Sequence, residues 1–261
     1  MAVLAGLLMA SGCSRLDFIR PDTSRKGFES TAPEINLKRK RGGNALAHVQ
    51  LAQQRLAAGD LAGAQSAAKQ GLKLDPRSAD AHTVMALALD RVGKPADAGD
   101  HYRRAAELAP ERGGTLNNYG TWLCSNGRAA ESLAWFEQAL AAPGYATPGA
   151  ALANAGACAM QVGQNARAER DLRRAVMLDP DSPVALGALA ELEFKAGRAF
   201  QARAFSERRL AVAPADPQTL QLASQIEQQL GDNAAAARYV QRIRAEFPDT
   251  RGFETGEGGK P

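Results

Sequence analysis

From Ala45 to about residue 250, apolar residues recur at helical spacing in paired stretches, each pair joined by a short polar turn. The turns share a glycine: Gly59, Gly93, Gly127, Gly163, Gly197 and Gly231 mark one regular period, stretched only between Gly127 and Gly163. Two further registers run in phase. Ala64, Ala98, Ala168, Ala202 and Ala236 each stand five residues after their glycine, and Pro76, Pro110, Pro180, Pro214 and Pro248 follow at a second constant offset. Each residue type has a physical reason. Glycine permits the positive φ that ends a first helix A. Alanine suits a place where helix A and helix B cross closely. Proline cannot continue helix B and so fixes the start of the next unit. The pattern predicts six helix–turn–helix units and no strand.

A period of about 34 residues with these three registers resembles the tetratricopeptide repeat. The resemblance implies an all-α, right-handed superhelical solenoid. The expected units are 45–78, 79–112, 113–148, 149–182, 183–216 and 217–250, with Gly120 and Gly156 at a second small-residue crossing. The third unit is two residues longer than the rest, and the extra length falls in Ala141–Pro148, AAPGYATP. Residues 251–261 are glycine-rich and read as a disordered tail.

The segment ahead of the repeats has a different character. Met1–Ala10 is a short apolar run followed by Ser11, Gly12 and Cys13. It falls short of the roughly 20 apolar residues of a membrane span. It fits the end of a secretory signal. The A-S-G-C run resembles a bacterial lipobox, which makes residues 1–13 a signal segment ending at a lipidated Cys13. It departs from the usual pattern at Ala10, where leucine is common, and no Lys or Arg precedes Cys13, so the true start is expected upstream of Met1. Ser14 after the cysteine implies sorting to the periplasmic face of the outer membrane. Residues 14–44 lack periodicity, contain Pro21 and Pro33, and read as a basic flexible tether. Its Lys38-Arg39-Lys40-Arg41 cluster is either a solvated charge run or a contact for anionic headgroups or an acidic partner.

Charge location narrows the function. The chain has a formal net charge of +4, and residues 14–44 hold eight Lys/Arg against four Asp/Glu, which accounts for all of it. A nucleic-acid-binding domain carries its basic footprint on the folded body, so no nucleic-acid partner is expected. Of His48, His82 and His101, the first two share a repeat position and read as packing residues, since a metal needs further converging ligands that the sequence does not offer. There is no phosphate loop, no HExxH helix and no Ser/His/Asp frame. An enzyme, a cofactor, a metal and a small-molecule substrate are therefore not expected. Cys124 and Cys158 lie in the first helices of units three and four. They are either a disulfide pair, as export would favour, or two separate buried thiols.

In such a superhelix, helix A of each unit lines the concave face, where a partner peptide or amphipathic helix would lie. The candidate groove residues are Leu46, Val49, Gln53, Leu56, Leu87, Asn117 and Thr121, with repeat one the most apolar section. Either a partner occupies that section or the leader folds back over it.

A narrower resemblance rests on Asn117-Asn118-Tyr119-Gly120-Thr121-Trp122-Leu123-Cys124, Asn154-Ala155-Gly156-Ala157-Cys158-Ala159 and the P-G-Y-x-T-P insertion, in six repeats behind a lipobox. Together these resemble the type IV pilus lipoproteins of the PilF/PilW family, from Cys13 to about Thr250. The resemblance implies an outer-membrane lipoprotein with a pilotin role, supporting localisation and multimerisation of the pilus secretin. It also implies a Cys124–Cys158 disulfide. The alternatives are another envelope scaffold (a Tad-type pilus lipoprotein, an outer-membrane assembly factor or a cell-wall enzyme adaptor) and, from a different class, a soluble enzyme subunit or cytoplasmic chaperone adaptor.

Overall fold

The computed structural model describes residues 43–248, which form twelve α-helices. They are α1 (Gly43–Ala57), α2 (Leu61–Leu74), α3 (Ala79–Arg91), α4 (Pro95–Leu108), α5 (Gly113–Ser125), α6 (Ala129–Ala141), α7 (Pro148–Gln161), α8 (Asn165–Leu178), α9 (Pro183–Lys195), α10 (Ala199–Val212), α11 (Pro217–Gln229) and α12 (Asn233–Glu246). Consecutive odd and even helices pack as hairpins, and each hairpin packs on the next, giving an all-α superhelical stack. The first helix starts at Gly43, two residues ahead of the expected Ala45. Cys13, the rest of the leader through residue 42 and the tail from residue 249 lie outside the described residues.

The turns show why these sequences fold as hairpins. The six turn glycines have φ between 73° and 82°, a left-handed conformation that costs other residues free energy. Helix starts are marked by capping carboxylates and hydroxyls. Asp60, Ser78, Ser182, Asp216 and Asp232 each accept from the backbone N–H three residues on. Pro95, Pro148, Pro183 and Pro217 occupy first helical positions, where the missing N–H costs nothing. Proline also follows the second helix of each unit by two residues. Unit three keeps this device at Pro143, one place nearer its turn glycine than in the other units, so its extra length comes after the proline. There Tyr145 lies against Gly113, where a Cβ would stand 2.4 Å from the ring.

The interior is built largely of alanine and leucine. Ala64, Ala98, Ala168 and Ala202 are fully buried and Ala236 nearly so, as expected for a close crossing. Gly120 lies against Phe136 and Gly156 against Leu172, with added Cβ atoms 2.9 and 2.5 Å from those side chains. One large wedge interrupts this fine-grained packing. Trp122 of α5 inserts over Gly99 of α4, where a Cβ would approach the indole to 2.1 Å, and its Nε1 donates to Pro95 O at 2.9 Å. Tyr119 stacks beside Trp122 and meets Trp135 edge-on with centroids 4.8 Å apart.

In the second half of the stack, unit junctions are held by buried carboxylates. Glu193 is fully buried, accepting from Arg173 Nη2 at 2.9 Å and paired also with Arg198. Glu227, nearly buried, accepts from Arg203 Nε at 2.9 Å. Both acids sit at the same repeat position, one unit apart.

Candidate functional site

The first helices of the units form the inner face of the stack, and the structure divides that face into three parts. At repeat one, Leu46 and Gln53 are half-buried, and the Gln53 Nε2 is enclosed with no hydrogen-bond partner among the described residues. In the middle Thr83, Leu87, Asn117, Cys124 and Ala153 are buried, while Asp80, Arg91, Thr121, Ala157 and Met160 stay partly accessible. At the far end Gly187, Glu191 and Phe194 are half-buried and Gln218, Gln221 and Gln225 exposed.

Four of the expected groove residues are therefore corrected. Val49 is 4% exposed and faces Gly71 of α2 inside its own hairpin. Leu56 and Leu87 join the cluster built around Val84, Leu116 and Tyr102. Asn117 is fully buried, accepting from Asn154 Nδ2 at 3.1 Å through Oδ1. The reason is physical. First helices pack mainly against second helices, those of their own and of the preceding hairpin, so side chains assigned to the groove become contacts between helices, as Val49 does on α2.

Thr121 remains partly accessible on the inner face. Its hydroxyl donates to Asn117 O at 2.9 Å and accepts from Asn154 Nδ2 at 3.1 Å. The three side chains form a polar tie between α5 and α7. Beside it Cys124 and Cys158 are joined as a disulfide with Cα atoms 6.0 Å apart, both fully buried. Two independent devices, one covalent and one polar, thus lock units three and four together.

The histidines fall into an arrangement that the sequence pattern does not reveal. Repeat position relates His48 to His82; in space His82 contacts His101 of its own hairpin, Nδ1 to Nδ1 at 2.8 Å, with His82 Nε2 against Pro76 O at 3.2 Å. If Nε2 donates to that carbonyl, His82 Nδ1 accepts the Nδ1 proton of His101. Burial pushes both histidines below the ordinary value, partly offset by the Pro76 carbonyl at His82 and by Asp100 and Asp97 at His101. His101 also borders a cavity of about 590 Å³ with Lys69, Met85 and Asp97. Among the described residues no three His, Cys, Asp or Glu side chains gather as metal ligands.

Twelve helices in glycine-hinged pairs, with proline-ended units and a continuous inner face, define a tetratricopeptide-repeat protein. Family models described as tetratricopeptide repeat match residues 49–113, 84–151 and 159–226. Among curated proteins, the type IV pilus assembly protein PilF of Pseudomonas aeruginosa is 24% identical over 208 residues, 80% of this chain and 82% of that protein. Among solved structures, PilW, described as a widely conserved type IV pilus biogenesis factor, is 31% identical with a TM-score of 0.71, over 79% of this chain and 95% of that one. The structure of Pseudomonas aeruginosa PilF shares the fold at 24% identity and a TM-score of 0.70, over 80% and 94% of the two chains. The chain belongs to the PilF/PilW family of type IV pilus biogenesis proteins.

Proposed function

We propose that this protein is a pilotin: a lipid-anchored outer-membrane protein, facing the periplasm, that supports localisation and multimerisation of the pilus secretin by binding a secretin segment. The observation that carries this reading is the family relation, which spans almost the whole of PilW. One feature of the chain agrees with it: the Cys124–Cys158 disulfide suits an oxidising compartment.

Within the inner face, repeat one is the proposed contact. Leu46 offers partly exposed apolar surface, and about two turns further along α1 Gln53 is half-buried beside it. Leu56 is part of the core and its substitution would report on folding rather than on binding.

Two experiments test the anchor and the role. Metabolic labelling with palmitate is expected to mark wild type and not Cys13→Ala; label on the variant excludes lipidation at this cysteine. Deletion of the gene is expected to abolish heat-resistant secretin multimers and twitching. Normal multimers in the deletion strain would remove the pilotin reading while leaving a different pilus-assembly role open.

A further inference from the structure

The second helices of the hairpins form the outer face, and their charge is divided between the two halves of the stack. Helices α2, α4 and α6 together hold two Lys and two Arg against five Asp/Glu, a net charge of −1. Helices α8, α10 and α12 hold ten Arg, no Lys and four Asp/Glu, a net charge of +6. Three of the ten arginines are compensated at unit junctions, Arg173 by Glu193, Arg203 by Glu227 and the buried Arg209 by Asp216; the outward excess lies in the others.

The excess is ordered. Eleven residues after their turn glycines, the last three units carry Arg174, Arg208 and Arg242, all exposed, whereas the first three carry Gln70, Arg104 and Gln138. Arg238 is exposed on the same outer stripe of α12. Arg174 and Arg238 have no acidic partner among the described residues, and Arg208 donates only to Pro180 O, which leaves its charge uncompensated. Arg242 has one solvent-exposed partner, Glu246.

Two large apolar side chains project from this field. Met177, three residues along α8 from Arg174, is 79% exposed, and Phe200 on α10 is 74% exposed. At the Phe200 position the other five units carry alanine: Ala62, Ala96, Ala130, Ala166 and Ala234. Both side chains stand out into solvent rather than being enclosed. A peptide partner would need a recess to enclose them, whereas a bilayer interface accepts projecting apolar groups between headgroups while arginines engage the phosphates.

We propose that the outer face of α8, α10 and α12 docks on an anionic phospholipid surface. Docking there lays the second half of the stack against the membrane and leaves the inner face turned toward the aqueous space. It does not depend on lipidation or on a secretin partner, since it arises from the repeats alone.

The test uses the full chain with Cys13→Ser, so that no acyl chain contributes. It is mixed with vesicles of phosphatidylcholine alone or of phosphatidylcholine with phosphatidylglycerol as a minor anionic component. Sedimentation is expected to show binding only to the anionic vesicles, weakened by sodium chloride at about 0.5 M and not reversed by millimolar inorganic phosphate. Adding R174E/R208E/R238E is expected to weaken binding about tenfold or more, and M177S/F200S by a smaller factor, with far-UV circular dichroism and melting unchanged. Because the basic leader is identical in all variants, equal binding by wild type and the arginine triple variant assigns attachment to Lys38–Arg41 and overturns the proposal. Arginine-dependent binding to poly-glutamate but not to anionic vesicles would also overturn it, in favour of an acidic polypeptide partner.

Discussion

Gly99 and Trp122 show how one residue constrains another across a unit boundary. The indole occupies the space where a Cβ would stand, 2.1 Å away, and is held by its bond to Pro95 O. Gly99→Ala therefore forces the ring to move, an overpacking cost of about 1–3 kcal/mol, even though alanine is the better helix former. The variant is expected to melt lower than wild type, and an unchanged or raised melting temperature would place the wedge elsewhere. The histidine pair gives a pH signature with a definite sign. Both groups are held below their unfolded value by burial, so the fold favours the neutral forms. Their contribution is complete above the unfolded pKa and is lost as pH falls through it toward the lower folded values. Besides each other, the charged groups facing them are Arg104 and Asp75 at His82, and Asp97 and Asp100 at His101. Melting temperature is expected to fall as the pH is lowered from mildly alkaline to mildly acidic, and His82→Gln/His101→Gln to flatten that dependence. A double variant with the wild-type slope would assign the pH response to carboxylates. None of this is readable in the chain, because His82 and His101 meet across a hairpin, 19 residues apart, and share no periodic position.

Among the elements, the joint between α5/α6 and α7/α8 is the most heavily secured. It carries the disulfide, the Asn117–Thr121–Asn154 tie and the lengthened turn with Tyr145 folded onto Gly113. Closing a loop of this sequence separation stabilises by about 3–4 kcal/mol in the chain-entropy description. Reduction, or Cys124→Ala/Cys158→Ala, is expected to lower the melting temperature markedly without removing the helical signal; no change would mean that the thiols are not joined in solution. The Glu193 junction discriminates between kinds of loss. Arg173→Ala/Arg198→Ala leaves a buried carboxylate unpaired, at a cost of about 3–5 kcal/mol. Glu193→Leu leaves two arginines that water already reaches, their side chains 50% and 42% exposed, and is expected to cost clearly less. Chemical denaturation of both variants decides it, and equal losses would mean that packing rather than charge governs the site. Elements of this kind are the most legible in sequence. Glycine, alanine and proline recur because turn, crossing and stop impose local demands on single residues. The inner face is less legible: repeat position assigns a side chain to the inside of the superhelix, but whether it stays open depends on how closely small residues let neighbouring helices approach. Val49, Leu56, Leu87 and Asn117 are lost to the interior in this way, while Leu46, Gln53 and Thr121 keep some exposure.

Across the whole molecule, two surfaces have separate characters. The inner face is braced at its centre by the disulfide and the asparagine tie, with partly accessible side chains along its length. The outer face is close to neutral over the first three units and arginine-rich over the last three. A stack locked at its middle presents these surfaces at fixed relative positions, as a protein would need if one held a partner and the other met a bilayer. The most direct test of the account is complementation of the deletion strain with Leu46→Glu, reading heat-resistant secretin multimers at matched protein levels. Leu46 is only half-buried near the start of the first unit. The variant is therefore expected to accumulate, to melt within a few degrees of wild type and yet to leave the secretin largely monomeric. Wild-type multimer levels from that strain would contradict the proposal that the first unit of the inner face holds the secretin.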